Sequence, residues 1–262
     1  MSRSWEKVER VVRLARSSTV LSRFKFPDAC YVGQRIAKTL FGESEAFAGA
    51  DRRLFAKDVE ETCCAYLLDA EKTHLAAEVD DERDFSCLAV IDISLRSPLH
   101  ATRIAELCHR AMPYPLLIAL HDPEGRVLFA MSEKRQSRDG RGTTVLEKSV
   151  TTDWLNDVEL DHFFAAADFA AFAGGSFADL HTWYFERMEA LNVAQVTGVF
   201  SVGSGDPEKR RVVLAEIHRI DGDIADLRRQ VKSSLPMAEL VELNVKLKAL
   251  ERCRESKIKE LN

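Results

Sequence analysis

The chain lacks the features that mark several large classes of protein. Its 262 residues include six cysteines, and no two of them form a Cys-x-x-Cys pair. Isolated cysteines in apolar surroundings act as small hydrophobic residues, so no disulfide framework is predicted. The segment after Met1 has no apolar stretch like that of a signal peptide, and no apolar run is long enough to span a bilayer. We therefore expect a cytoplasmic protein that has no membrane segment.

Catalytic and cofactor-binding motifs are also missing from the sequence. There is no glycine-rich nucleotide loop, no Gly-x-Ser-x-Gly elbow and no His-Glu-x-x-His pair. The seven histidines are scattered without the spacing of metal ligands. The sequence therefore predicts no cofactor and no metal site, and it favours a protein without catalytic activity.

The formal net charge of −5 gives no reason to expect general affinity for nucleic acid. The charge is nevertheless uneven, because residues 1–26 carry seven Lys or Arg against two Glu. An amphipathic helix at residues 4–16 places Arg10 and Arg13 on its basic face. Such a helix binds phosphates, or it rests on an acidic body. We favour the second interpretation.

The chain is organised around the stretch from Phe85 to Lys134. One face of the predicted first strand carries Phe85, Cys87, Ala89, Ile91, Ile93 and Leu95. Ser97-Pro98 then predicts the start of a helix, and Pro113 its end. The apolar run 115–120 is typical of a strand buried on both faces, and the turn at 122–125 predicts an antiparallel return. This segment is predicted to be the core.

The flanking segments are less distinctive. Apolar spacing predicts helices at about residues 28–40 and 51–63, followed by a short strand at 63–68. The acidic tract 78–84 is predicted to be a loop. After the core, residues 134–142 are predicted to form an exposed hairpin tip, in which Arg135, Arg138 and Arg141 could touch a phosphate backbone. The alternation over residues 143–152 predicts the closing strand of the sheet.

The last part of the chain carries a heptad pattern. Its seam residues are Val213, Ile217, Ile220, Ile224, Leu227 and Val231, and then Leu240, Leu243, Leu247 and Leu250. The break at residues 233–236 joins the two halves, so an antiparallel helical hairpin is predicted.

Four residues beside this seam are candidates for contact with a partner. Leu214, Val241 and Val245 lie off the seam, which predicts an uncovered apolar surface. Asn244 lies next to the seam, where a polar residue could fix the register. A partner protein or a second copy of the chain would suit such a surface.

The predicted fold class is α+β: a small mixed β-sheet with packed helices, followed by a helical region and a C-terminal antiparallel helical hairpin of coiled-coil type. We predict an α+β core domain at residues 1–155, a helical connector with a Gly/Ser linker at 156–207, and the hairpin at 208–262.

An enzymatic alternative rests on one strand. A helix followed by strands resembles a restriction-endonuclease-like core, in which acidic residues and a lysine hold Mg²⁺. The corresponding residues are Asp92-Ile93-Ser94, with serine in place of the lysine. A divergent or degenerate nuclease, or a nucleic-acid-binding module, is therefore kept as the alternative function.

A family resemblance emerges from the order of several short motifs. These are Phe26-Pro27 before a helix, the strand LAVIDISLR at 88–96, the Pro-Tyr-Pro step at 113–115, and VELNVKLK at 241–248. Together they resemble the bacterial domain-of-unknown-function family 4391 over nearly the whole chain. The resemblance implies a gene context with DNA methyltransferases and helicase-like ATPases of restriction and phage-defence type. The expected function is therefore a non-enzymatic adaptor subunit that binds such a partner, through which contact with nucleic acid is possible.

Overall fold

The structure is a computed structural model, and it describes residues 19–42, 44, 47–137, 144–203, 206–232 and 236–261. The contacts between residues divide the chain into two compact units, Met1–Met188 and Glu189–Asn262. We call them the sheet unit and the hairpin unit. The sequence placed its first boundary at residue 155, whereas this division falls at residue 188, inside a continuous helix.

Strands and helices are both well represented, which confirms the predicted mixed α+β class. The strands are β1 Tyr31–Arg35, β2 Val59–Asp69, β3 Glu78–Val79, β4 Asp84–Phe85, β5 Cys87–Leu95, β6 Leu116–His121, β7 Val127–Gln136 and β8 Thr144–Thr151. The helices are α1 at residues 19–22, α2 Lys38–Gly42, α3 Gly49–Asp58, α4 Ala70–Thr73, α5 Ala101–Ala111, α6 Asp157–Ala166, α7 Phe177–Thr197, α8 Pro207–Val231 and α9 Met237–Lys259.

Among the described residues, six strands form one sheet in the order β1-β2-β5-β6-β7-β8. The pair β5 and β6 is parallel and is joined by α5, whereas each other neighbouring pair is antiparallel. β3 and β4 form a separate two-stranded hairpin. The predicted order of strand, helix, strand, turn and strand over residues 85–131 is therefore confirmed.

The side of the sheet that faces α5 holds an apolar core. Alternate residues of β5 and β6 point into it, among them Ile91, Ile93 and Ile118, and each is almost fully buried. Ile104 and Leu107 of α5 pack against them at helical spacing. The even spacing of these residues, every second one in the strands and every third or fourth in the helix, explains why this layer was predictable.

The other side of the sheet is covered by an aromatic cluster. Phe24 lies at its centre, with ring centroids 5.6 Å from Phe129, 4.8 Å from Phe164 and 5.6 Å from Tyr184. Edge-to-face pairs of this kind stabilise a core beyond the area they bury. Phe24 and Tyr184 are separated by 160 positions in the sequence, so local periodicity does not reveal this contact.

Two predicted helices in the first third of the chain are wrong in part. Residues 31–35 form the edge strand β1 instead of the middle of a helix, since Tyr31 pairs with Tyr66 and Gln34 with Cys64 on β2. Gly33 adopts a φ of +59° at the irregularity in this pairing, which a glycine permits without strain. The helix predicted at 51–63 ends at Asp58, because Val59 already pairs with Leu95 of β5.

The hairpin unit contains the end of α7 and the packed pair α8 and α9. Val213, Ile217, Ile220 and Ile224 of the predicted seam are buried. The seam residues Leu240, Leu243, Leu247 and Leu250 are each partly buried. The predicted helical hairpin is therefore confirmed.

All six cysteines are free thiols, as the sequence predicts. Within the described residues, no helix combines the length and the apolar character that crossing a bilayer requires.

Candidate functional site

The outer side of α9 carries two of the predicted partner-binding residues. Val241 is 56% exposed and Val245 is 62% exposed, one helical turn apart. This fully described helix has no buried residue. The uncovered apolar surface predicted at these two positions is therefore present.

The other two predicted partner-binding residues behave differently. Leu214 is only 8% exposed, so the predicted uncovered surface at this position is wrong. Asn244 is exposed, and its side-chain amide donates to the carbonyl of Leu240 in the same helix, at 2.7 Å. Because this amide bonds within its own helix, it makes no described hydrogen bond across the seam to α8. The structure therefore gives Asn244 no contact that would fix the register of the two helices.

The predicted nucleic-acid contacts lie mostly outside the described residues, which holds for Arg10, Arg13, Arg138 and Arg141. Arg135 is described, and it belongs to β7 instead of an exposed tip. Its Nε lies 3.2 Å from Oε1 of Glu147 on β8. A phosphate would have to compete with this carboxylate for the Arg135 guanidinium.

A polar pair lies near the carboxyl ends of the parallel strands β5 and β6, with Asp92 three residues before the end of β5 and His121 at the end of β6. His121 Nε2 is 3.0 Å from Asp92 Oδ1, and both side chains are nearly buried. Neither atom takes part in a hydrogen bond of good geometry with a described residue, so the contact is one of proximity. The carboxyl ends of parallel strands are where open α/β sheets bind ligands.

Neighbouring strands add polar groups around this pair. Cys63 on β2 is the register partner of Asp92, and Ser94 lies between Glu61 on β2 and His121 on β6. Burial, followed by the charge of Asp92, raises the pKa of the Cys63 thiol to about 11. The thiol is therefore neutral at physiological pH and is a poor nucleophile.

The chemistry open to this pair is acid–base exchange. A carboxylate beside an imidazole can hold or pass a proton. No group of three or more His, Cys, Asp and Glu side chains is placed to hold a metal ion in the described part of the chain. Ser94 occupies the position where the nuclease interpretation requires a lysine.

A second titratable cluster lies inside the sheet unit. Lys134, predicted to lie in an exposed loop, is instead a buried residue of β7. Its ammonium donates to the carbonyls of His109, at 3.2 Å, and Met112, at 2.8 Å, at the C-terminal end of α5. A helix C-terminus favours a cation there. Burial nevertheless lowers the pKa of Lys134 to about 7.

Two histidines of the same cluster are also buried. Burial, with the nearby Lys134 and His181, lowers the pKa of His109 well below its ordinary value. His181 of α7 lies with Nε2 3.2 Å from the carbonyl oxygen of Ser132, and burial lowers its pKa to about 4. Both imidazoles are therefore neutral near pH 7, whereas Lys134, whose pKa is about 7, changes its charge there.

Sequence reasoning found Asp92 but missed His121 and Lys134. The signal for His121 was its position directly after the apolar run Leu116–Leu120, where a buried strand ends in a polar side chain. The signal for Lys134 was weaker, because its charge and the arginine that follows it resemble an exposed loop. Only pairing of β7 with β8 as far as Gln136 shows that the strand continues past it.

Comparison with known proteins identifies the family. The model of the family described as "Domain of unknown function (DUF4391)" matches residues 24–253. The chain therefore belongs to this family, as the short motifs indicated. No curated protein and no solved structure matches the chain.

Proposed function

We propose that this protein is a non-enzymatic accessory subunit of a bacterial anti-phage defence or restriction-type complex. The hairpin of α8 and α9 is its docking element, and a helicase-like ATPase or a DNA methyltransferase is its partner. The context follows from what the family resemblance implies, and the docking role follows from the hairpin itself.

The observation that carries the proposal is the unequal burial of the two helices. α8 buries five residues, whereas α9 buries none and exposes Val241 and Val245. Exposed apolar side chains that lie together on one helix face are a common feature of protein-binding surfaces. A helix that contributes only its seam side to the fold keeps the rest of its surface for another molecule.

The experiment is co-purification of the tagged protein with the products of adjacent genes. Val241→Glu with Val245→Glu should abolish recovery of the partner, because a charge on each valine opposes burial of that surface. The matched control is Val79→Glu with Val158→Glu, since Val79 is 64% exposed and Val158 63% exposed in the sheet unit. Circular dichroism should show unchanged helix content in both variants.

Two results would overturn the docking role. One is wild-type recovery of the partner with the Val241→Glu/Val245→Glu variant. The other is equal loss with the control variant, which would mean that added negative charge alone prevents assembly. Light scattering separates a second copy of the chain from a different partner by mass.

A divergent nuclease is the second candidate, and the pair of Asp92 and His121 is the observation that favours it. These groups lie at the end of the sheet where such an enzyme would bind its substrate. The serine at position 94 opposes it, because no lysine stands there to activate water. Cleavage of DNA in the presence of Mg²⁺ that is lost in Asp92→Asn, with unchanged stability, would establish this alternative.

A further inference from the structure

We infer that the partner segment bound by α9 is an acidic amphipathic helix. This inference rests on the proposed docking function and names the chemistry of what docks. It concerns what we call the outward face of α9, which consists of Val241, Val245, Lys248, Arg252 and Lys259. These positions are separated by 4, 3, 4 and 7 residues, so they share one side of an α-helix.

The outward face lies opposite the seam. The seam residues Leu243, Leu247 and Leu250 are partly buried, whereas all five residues of the outward face are exposed. At a rise of about 1.5 Å per residue, the face extends for about 27 Å along the helix. That length matches a partner helix of about 18 residues.

Ion pairs distinguish two groups among the cations of α9, and Lys246, which lines a groove with α8 residues and has no ion pair with a described residue, belongs to neither. On the side of α8, Arg254 lies 2.5 Å from Asp221 and Lys257 lies 2.8 Å from Glu216. Lys248, Arg252 and Lys259 make no ion pair with a described residue. Within this second set, Arg252 Nε donates a hydrogen bond to the main-chain carbonyl of Lys248, at 3.3 Å.

This division determines the charge of the partner. The fold pairs Arg254 and Lys257 with carboxylates of α8, whereas the three cations of the outward face have no such pair among the described residues. Charges of opposite sign across an interface speed association and exclude wrong partners. The complementary surface is therefore acidic.

The order of residues along the face determines the form of the partner. The two valines lie at one end and the three cations at the other. An antiparallel partner helix would place carboxylates in its N-terminal half, opposite Lys248 to Lys259, and apolar side chains in its C-terminal half. Acidic residues near a helix N-terminus are also favoured by the helix dipole. An acidic amphipathic helix therefore offers carboxylates to the three cations and apolar side chains to the two valines.

A second copy of the same face is a poor occupant. In an antiparallel pair centred on the face, Lys248 would meet Arg252 of the other copy and Val241 would meet Lys259. In a parallel pair, each cation would meet itself. Like charges oppose both arrangements.

Nucleic acid also fits poorly. It would leave Val241 and Val245 without apolar contacts. Glu255, which lies between Arg252 and Lys259 on this side of the helix, would oppose phosphates and peptide carboxylates alike, so the two valines carry the argument against nucleic acid.

The test uses the full chain and a labelled synthetic peptide of about 18 residues, designed as a helix with an acidic N-terminal half and an apolar C-terminal half on one face. A peptide of the same composition, scrambled so that no such face forms, is the control. Fluorescence anisotropy at low salt should show that the designed peptide binds about tenfold more tightly than the scrambled peptide. A few exposed ion pairs of roughly 0.5 kcal/mol each account for a difference of this size. The affinity should fall as salt is added.

Protein variants locate the binding site. Lys248→Glu with Arg252→Glu and Lys259→Glu should weaken the designed peptide by at least about tenfold. Lys209→Glu with Arg219→Glu on α8 and Lys232→Glu directly after it changes the net charge equally and should leave the affinity unchanged. If the first triple variant loses helix content by circular dichroism, the corresponding Gln substitutions replace it, with a smaller loss of affinity expected.

Three results would overturn the inference: equal binding of both peptides, equal loss of affinity in both triple variants, or tighter binding of a DNA duplex that the outward-face variant abolishes. The last result would assign the face to nucleic acid. Failure of the peptide while co-purification holds would reject the acidic helix and keep the docking function. Binding of the peptide without any co-purifying partner would keep the acidic helix and reject the docking function.

Discussion

The sheet unit and the hairpin unit differ in where they place their charged groups. The sheet unit buries titratable side chains, of which Lys134 is held by two main-chain carbonyls and by no carboxylate among the described residues. The hairpin unit buries Glu189 beside Arg211 but keeps most of its charges at the surface, where Arg228 pairs with Glu251, Arg254 with Asp221 and Lys257 with Glu216. Burial shifts the pKa of a charged group, so its charge changes within a different range of pH. Salt screens the attraction between exposed charges, so the strength of a surface ion pair depends on the salt concentration. The two units should therefore respond to different changes in solution.

Their apolar cores differ as well. Ile118 in β6 is fully buried between two layers, whereas Leu247 in α9 is only partly covered. A two-helix seam buries little area per residue, and most of its stability depends on packing along a single stripe. The sheet unit is expected to be the more stable of the two.

The largest expected effect is a core truncation in the sheet unit. Ile118→Ala should lower the free energy of unfolding by about 3 kcal/mol, because a fully buried methyl-rich side chain leaves a cavity. The tryptophans stand at positions 5, 154 and 183, so tryptophan fluorescence in a denaturant titration follows residues 1–188. Leu247→Ala should cost about 1 kcal/mol, since that side chain already contacts solvent. Hydrogen exchange of α9 would measure it. Equal losses would remove the contrast between the two cores.

The next effect concerns pH. The folded-state pKa of Lys134 is lowered to about 7, below the pKa of about 10.4 in an unfolded chain. The unfolded state therefore binds more protons, and stability rises with pH through this window. Between pH 6 and pH 8, the wild type should gain about 1.4 kcal/mol relative to Lys134→Met, which has no ammonium to bury. Parallel stability profiles would mean that the carbonyls of His109 and Met112 compensate fully for burial.

The smallest effect concerns salt in the hairpin unit. Arg254→Gln should cost less than about 1 kcal/mol, because its pair with Asp221 is partly exposed. The cost should nearly vanish in about 1 M salt, where charges are screened beyond about 3 Å. Hydrogen exchange of α9 at both salt concentrations measures this difference. A cost that persists at high salt would show that the arginine contributes packing more than charge.

Several parts of the fold follow from sequence alone. The run from β5 through α5 to β7 and the pair α8 and α9 were predictable because each pattern repeats within its own element. A period of two or of 3.6 residues records which side of a strand or helix is buried, whatever lies against it. The exposed valines of α9 were predictable for the same reason, since they fall outside the heptad positions.

Tertiary structure alone decided the remainder. Residues 31–35 form a strand because β2 lies beside them, and no local preference specifies that neighbour. Lys134 is buried because β7 passes the end of α5, and Asp92 meets His121 because two parallel strands end together. Leu214 is covered although its spacing predicts exposure. In the first three cases the deciding contact joins residues far apart in the chain, and the periodicity of a single segment carries no information about its partners.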